Sequence, residues 1–285
     1  MRSKNTGYKA LIALSCVCSL AAAVLLYFAQ TVGYDLSIQH FARNSPFAAG
    51  AVCAIAAAII LGIVAGVIRA RDKENAGFAP ASAFGIFAAS VTAFMMLAAF
   101  ILSIRQLSQG MELLPLVRLV LMALSAAFFF LTAARERKSG GGFALLSLCP
   151  MLFGLISILI EYFDTSYGMN APIKTYALLM YIAVTLFFSA EVRVALSRVL
   201  PFWYTFFGTC CLALTAGVGL SQTAVALHDT VGHGFSLIDS MLCVCIALFT
   251  ASRLFSFGAP TEATDADLPA GEKSNEEAAD ENEQA

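Results

Sequence analysis

Eight times along the chain, a run of about twenty residues passes with no more than two charges. The runs are 10–29, 47–67, 83–104, 113–134, 143–163, 175–196, 201–227 and 235–254. A helix rises about 1.5 Å per residue, so each run matches the ~30 Å hydrocarbon core of a bilayer. Backbone amides in lipid must find their partners within the segment, which selects helix over open strand. The expected fold is all-α: a polytopic transmembrane bundle of about eight helices over 1–257. Composition agrees. The chain is 59% hydrophobic and 13% charged, against roughly 45–50% and 25% in soluble domains. A water-soluble body of 285 residues could not hide that much apolar surface.

Residues 258–285 are different in kind. They hold nine acidic residues and one lysine with no aromatic, and such a segment cannot bury enough apolar surface to order itself. It is expected to be an acidic, disordered cytoplasmic tail. The overall net charge of −2 therefore conceals a body of net +6, sixteen Lys/Arg less ten Asp/Glu. In a chain this apolar, a basic body points to cytoplasmic connections and not to nucleic acid. Arg2, Lys4 and Lys9 precede the first run. That run is too long for the ~7–15-residue core of a signal peptide, so it is read as a retained helix.

Orientation follows the asymmetry of Lys and Arg between alternate connections. One side collects Arg69, Arg71, Lys73, Arg135, Arg137, Lys138, Arg193, Arg198, Arg253 and Lys273 with the three N-terminal cations. The other has Arg43, Arg105 and Lys174, and Arg118 lies inside the fourth run. The basic side is expected to be cytoplasmic, with both termini on it. Trp203 and Tyr204 are expected at the inner interface and Tyr27, Tyr162 and Tyr176 near the outer one, where amphipathic rings are favoured.

A hint of repetition accompanies the pattern. Met111 and Pro115 lead into a helix ending at Arg135, and Met169 and Pro172 into one ending at Arg193. Pro46 and Arg69 outline the same unit more faintly, which suggests a bundle built from four repeated helical hairpins. The stretch from Glu161 to Lys174, EYFDTSYGMNAPIK, followed by LFFSAEVR from Leu186 to Arg193, resembles a pattern in uncharacterised bacterial multi-pass membrane proteins. That resemblance implies a bacterial inner-membrane address and no particular chemistry.

Motifs for chemistry are few. The eight cysteines all fall within apolar runs and read as small apolar filler; Cys16/Cys18 and Cys243/Cys245 are two apart, so neither pair faces one way on a helix. His228 and His233 are five apart around Asp229 and Gly232, which is not the i, i+4 spacing of a helical zinc site, so the string reads as a polar turn. No nucleotide, nucleophile-elbow or zinc-finger motif occurs, and nothing in the sequence points to a catalytic residue, a metal ligand or a cofactor. Gly62-x-x-x-Gly66 predicts tight packing of the second helix against an unspecified partner.

The informative residues are ionisable ones at membrane depth, where a charge costs at least ~2.5–3.5 kcal/mol at mid-helix. Arg118, Glu161 and Asp239 all fall at the outer ends of their helices, with Asp164 just beyond Glu161. One arginine with carboxylates at matching depth predicts a shared polar pocket in which Arg118 pairs with Asp239 or Glu161. Two functions remain open from sequence: small-solute transport or ligand binding at this outward pocket, and a non-catalytic membrane partner or sensor acting through cytoplasmic loops and the tail. The partner common to both is the lipid bilayer.

Overall fold

The computed structural model describes residues 2–35, 39–42, 45–71, 82–107, 113–134, 141–166, 168, 170–228 and 236–257. The acidic segment 258–285, the basic residues Arg43, Lys73, Arg135, Arg137 and Lys138, and Asp229 and His233 lie outside them. Among the described residues there are eight helices: α1 (Arg2–Val32), α2 (Pro46–Ala70), α3 (Ala83–Leu107), α4 (Leu113–Ala133), α5 (Gly141–Phe163), α6 (Pro172–Ala195), α7 (Pro201–Leu227) and α8 (Leu237–Ser256). All eight are long and apolar enough to cross a membrane. The chain is an all-α helical bundle and an integral membrane protein.

Helix ends depart from the expected runs for a physical reason. Hydropathy marks the part of a helix in lipid, whereas hydrogen bonding continues past it, so α1 begins at Arg2 and reaches Val32. Proline sets the starts of α2, α6 and α7, where its missing N–H would be unpaired anyway. Ser45 caps α2 by accepting from the Ala48 amide at 3.4 Å. A two-residue ribbon, β1 (Tyr34–Asp35) against β2 (His40–Phe41), lies between α1 and α2 and has no counterpart in the sequence expectation.

Each sequence-adjacent pair α1/α2, α3/α4, α5/α6 and α7/α8 packs as a hairpin. Helices α3 to α8 close a ring, each packed on the next, with α8 returning to α3. The α1/α2 hairpin sits against α7. Consequently 67% of the apolar windows of α7 and α8 is buried, against 33% for α1 to α5. The glycine pair of α2 makes the α7 contact: a Cβ on Gly62 would stand 1.9 Å from Thr209 Oγ1, and one on Gly66 3.1 Å from Phe202 Cδ2. Large apolar side chains cover the outside, with Val17, Phe87, Phe94 and Leu145 each 59–69% exposed. A face of that extent in water would associate or aggregate; lipid covers it.

Cross-contacts define two ends. The Tyr8 hydroxyl donates to the Leu254 carbonyl at 3.2 Å, joining the start of α1 to the end of α8. Gln222 Nε2 donates to Gln30 Oε1 at 3.1 Å, joining the end of α1 to that of α7. The near end therefore holds the start of α1, and the far end holds the starts of α2, α4, α6 and α8. A cluster of phenylalanines fills the ring toward the near end. Phe129 meets Phe249 at 4.9 Å edge-to-face, Phe188 stacks on Phe249 at 6.1 Å, and Phe128 and Phe187 complete the set. All five are at most 1% exposed.

Candidate functional site

Helical periodicity carries Arg118 into the ring. On α4 the inward stripe continues from Arg118 through Met122, Ser125 and Phe129, the last three at most 1% exposed. On α8 the corresponding stripe runs Asp239, Cys243, Ile246, Thr250 and Arg253, at the alternating three- and four-residue spacing of one helical face. The two stripes meet at the far end. Arg118 Nη2 donates to Asp239 Oδ1 at 2.6 Å. Asp239 is fixed from its other side: the Ser236 hydroxyl donates to Oδ2 at 2.9 Å and accepts from the Asp239 amide at 3.1 Å, capping α8. The Arg118 guanidinium lies 5.4 Å from the centre of the Phe153 ring on α5, a cation–π arrangement. The side chains remain 18% and 21% exposed, so the pair is not sealed within the ring.

Glu161, in the last turn of α5, shares this end. It lies close enough to Asp164, Lys174, Arg118 and Asp239 to feel their charges, yet forms no ion pair or hydrogen bond through its carboxylate among the described residues. The alternative pairing of Arg118 with Glu161 is therefore not the one made. Lys174, expected among the outer-loop cations, is instead 2% exposed in the first turn of α6, and its ammonium donates to the Asp164 carbonyl. A buried ammonium needs such an acceptor, since desolvation costs several kcal/mol. The Asp164 carboxylate accepts from the Ser166 amide at 2.8 Å. Bonds from Ser166 hold that carboxyl below its ordinary range.

A second polar cluster, at the near end, is absent from the sequence expectation. Arg253 holds Glu191 of α6 bidentately, Nε to Oε1 at 2.7 Å and Nη2 to Oε2 at 2.9 Å. The Tyr204 hydroxyl of α7 donates to Glu191 Oε1 at 2.5 Å. Arg69 of α2 stands 5.8 Å from the Tyr8 ring and 5.2 Å from that of Phe257. Arg69, Glu191 and Arg253 are 2%, 4% and 7% exposed. These corrections share one cause. Arg69 is expected in the connection after the second helix, Arg253 at the end of the eighth and Tyr204 as an interfacial ring, but each occupies the next turn of a buried stripe. Glu191 follows Tyr181, Val184 and Phe188 on α6 by the same spacing. The stripe, extended one step, is the signal that finds them.

The paired ends are separated by apolar interior. Asp239 and Arg253 are roughly 21 Å apart along α8 at 1.5 Å per residue, and no charged residue of α8 lies between them. His228 caps α7, with its ring 6.1 Å from that of Tyr27; the rest of the His228–His233 string lies outside the described residues. All eight cysteines are free thiols. No family model, curated protein or solved structure matches the chain.

Proposed function

We propose that the protein binds a small amine-bearing solute, cationic or zwitterionic, at the far end of the helical ring. The supporting observation is the half-buried Glu161 carboxylate, which makes no bond among the described residues, beside a partly exposed Arg118–Asp239 pair. Glu161, Asp164 and Asp239 outnumber Arg118 and Lys174 by one charge, so the cluster favours a cation. Glu161 takes the ammonium. Arg118 Nε, buried without a hydrogen-bond partner, offers a donor to a carboxylate on the same solute once the guanidinium turns. The phenylalanine cluster and the Arg253–Glu191–Tyr204 group fill the path toward the near end, which favours binding over open conduction in this conformation.

The orientation proposed with this reading puts the near end in the cytoplasm of a bacterium and the far end outside. It rests on the Lys/Arg asymmetry and on the resemblance around Glu161–Arg193. The experiment is a thermal-shift screen of purified protein against small amines, zwitterions and carboxylates, because a ligand of the folded state alone raises its stability by RT ln(1 + [L]/Kd). An amine or zwitterion should raise the melting temperature, and Glu161→Gln should abolish that rise while leaving ligand-free melting unchanged. A panel without effect, or stabilisation by simple carboxylates that survives Glu161→Gln, contradicts the proposal.

A further inference from the structure

Where α6 ends and α7 begins, the near end carries a groove of about 210 Å³. Ser189, Ala190 and Arg193 form one wall, at i, i+1 and i+4 on α6. Leu200, Trp203, Tyr204 and Phe207 form the other, at i, i+3, i+4 and i+7. The connection between the walls is short. It turns through Ser197 at φ 57°, and the Arg198 amide closes back on the Arg193 carbonyl at 2.8 Å. The groove floor is rigid, because Tyr204 is 1% exposed and bonded to Glu191.

Its chemistry is split by depth. Trp203 is 48% exposed and Leu200 44%; Trp203 stacks on Phe207 at 5.4 Å. Together they make an apolar trough along the lipid-facing flank. Arg193 is exposed at the mouth, with Arg198 beside it, and neither forms an ion pair among the described residues. Tryptophan is favoured at the level of the headgroups, so the mouth of the groove stands at headgroup depth and the trough runs into the acyl region. Basic pockets between transmembrane helices at this level take anionic headgroups.

We infer that this groove is a selective site for an anionic phospholipid of the near-end leaflet, with its phosphodiester on Arg193 and an acyl chain laid along Trp203 and Phe207. This site is independent of the far-end solute site and shares no residue with it. A lipid seated there covers the α6/α7 seam over the Arg253–Glu191–Tyr204 group, so its presence stabilises the helix pair that frames that group.

The chain contains a single tryptophan, and it lines the groove, so fluorescence reports the site directly. The protein is reconstituted in bilayers in which phosphatidylglycerol or phosphatidylcholine carries dibrominated chains, and quenching of Trp203 is compared. Brominated phosphatidylglycerol should quench more than its phosphatidylcholine counterpart, with a relative binding constant of about five, the equivalent of ~1 kcal/mol for one basic side chain at an anionic surface. Arg193→Gln, at an exposed position that folding tolerates, should bring the ratio to about one. Arg198→Gln, outside the groove wall, should leave most of the preference. Equal quenching by the two lipids overturns the inference, as does a preference unchanged by Arg193→Gln. So does loss of the preference to millimolar inorganic phosphate, which would make the site one for a free anion.

Discussion

Removing the Glu191 carboxylate tests how much of this bundle hangs on its near-end charge cluster. In Glu191→Ala, Arg253, 7% exposed in the native chain, loses two charge-assisted hydrogen bonds, at 2.7 and 2.9 Å. Tyr204 loses its bond to Glu191 as well. Stranding one member of a buried pair costs ~3–5 kcal/mol, whereas replacing both members by apolar residues of similar volume is often neutral. Glu191→Ala should therefore destabilise by ~3–5 kcal/mol. Glu191→Leu with Arg253→Met should cost ~1–2, and Tyr204→Phe alone ~1, between the soluble and the membrane values for one such bond. The assay is equilibrium unfolding in mixed micelles with rising SDS, followed by helical circular dichroism. A coupling of at least ~2 kcal/mol between Glu191 and Arg253 is expected from the double-mutant cycle. If Glu191→Ala costs less than ~1 kcal/mol and adds to Arg253→Met, the arginine has escaped to the headgroups by stretching its stem. The cluster is then not a structural lock.

Other outcomes follow from single contacts. Gly62→Val should destabilise by at least ~1–3 kcal/mol through overpacking against Thr209, while Gly142→Val, with nothing within 4 Å, should stay within ~0.5; equal effects would refute the α2–α7 contact. The Arg118/Asp239 cycle should show a coupling of ~1 kcal/mol, smaller than at the near end because the pair is about a fifth exposed, and Arg118→Lys should restore only part of it because lysine lacks the planar fork. A reporter fused after Ala285 should be active in the cytoplasm, and one inserted after His228 outside; a C-terminal fusion active only outside removes the proposed orientation.

The membrane architecture was readable because lipid imposes one length and one hydrogen-bonding rule on every span, and eight runs obeyed it. The far-end pair was readable for a related reason. Arg118 is an isolated charge within an apolar run, with Asp239 and Glu161 at similar depth, so a carboxylate partner was expected; the choice of Asp239 over Glu161 came from the structure. Glu191, Arg253 and Arg69 were hidden by the same reasoning. They lie at the near end, where the Lys/Arg asymmetry leads one to expect cations, so the two arginines read as ordinary and Glu191 as their solvated neighbour. Only their phase on the helix marks them as buried, and phase requires the inward face to be known first. The partner of the Gly62–Gly66 pair was unreadable for another reason: small residues state that something approaches closely, while Thr209 and Phe202, which do so, carry no complementary mark. The α6/α7 groove depends on how two helices diverge after Ser197, and spacing alone does not record that.

Whether the far end is an outward-facing solute site is tested most directly by chemical access to Glu161. Glu161→Cys is produced in intact cells and exposed to a membrane-impermeant thiol reagent, with the wild-type chain and its eight native cysteines as background. Labelling above background without permeabilisation is expected from the proposed outward-facing site, since the pair beside Glu161 is about a fifth exposed. For solute protection, Asp239→Cys is labelled alongside it, because an amine that still engages Glu161 should shield that neighbouring position at the concentration that stabilises the purified protein. Labelling of Glu161→Cys that appears only after the membrane is opened, or labelling of Asp239→Cys that no stabilising solute slows, contradicts an outward-facing site at Arg118, Glu161 and Asp239.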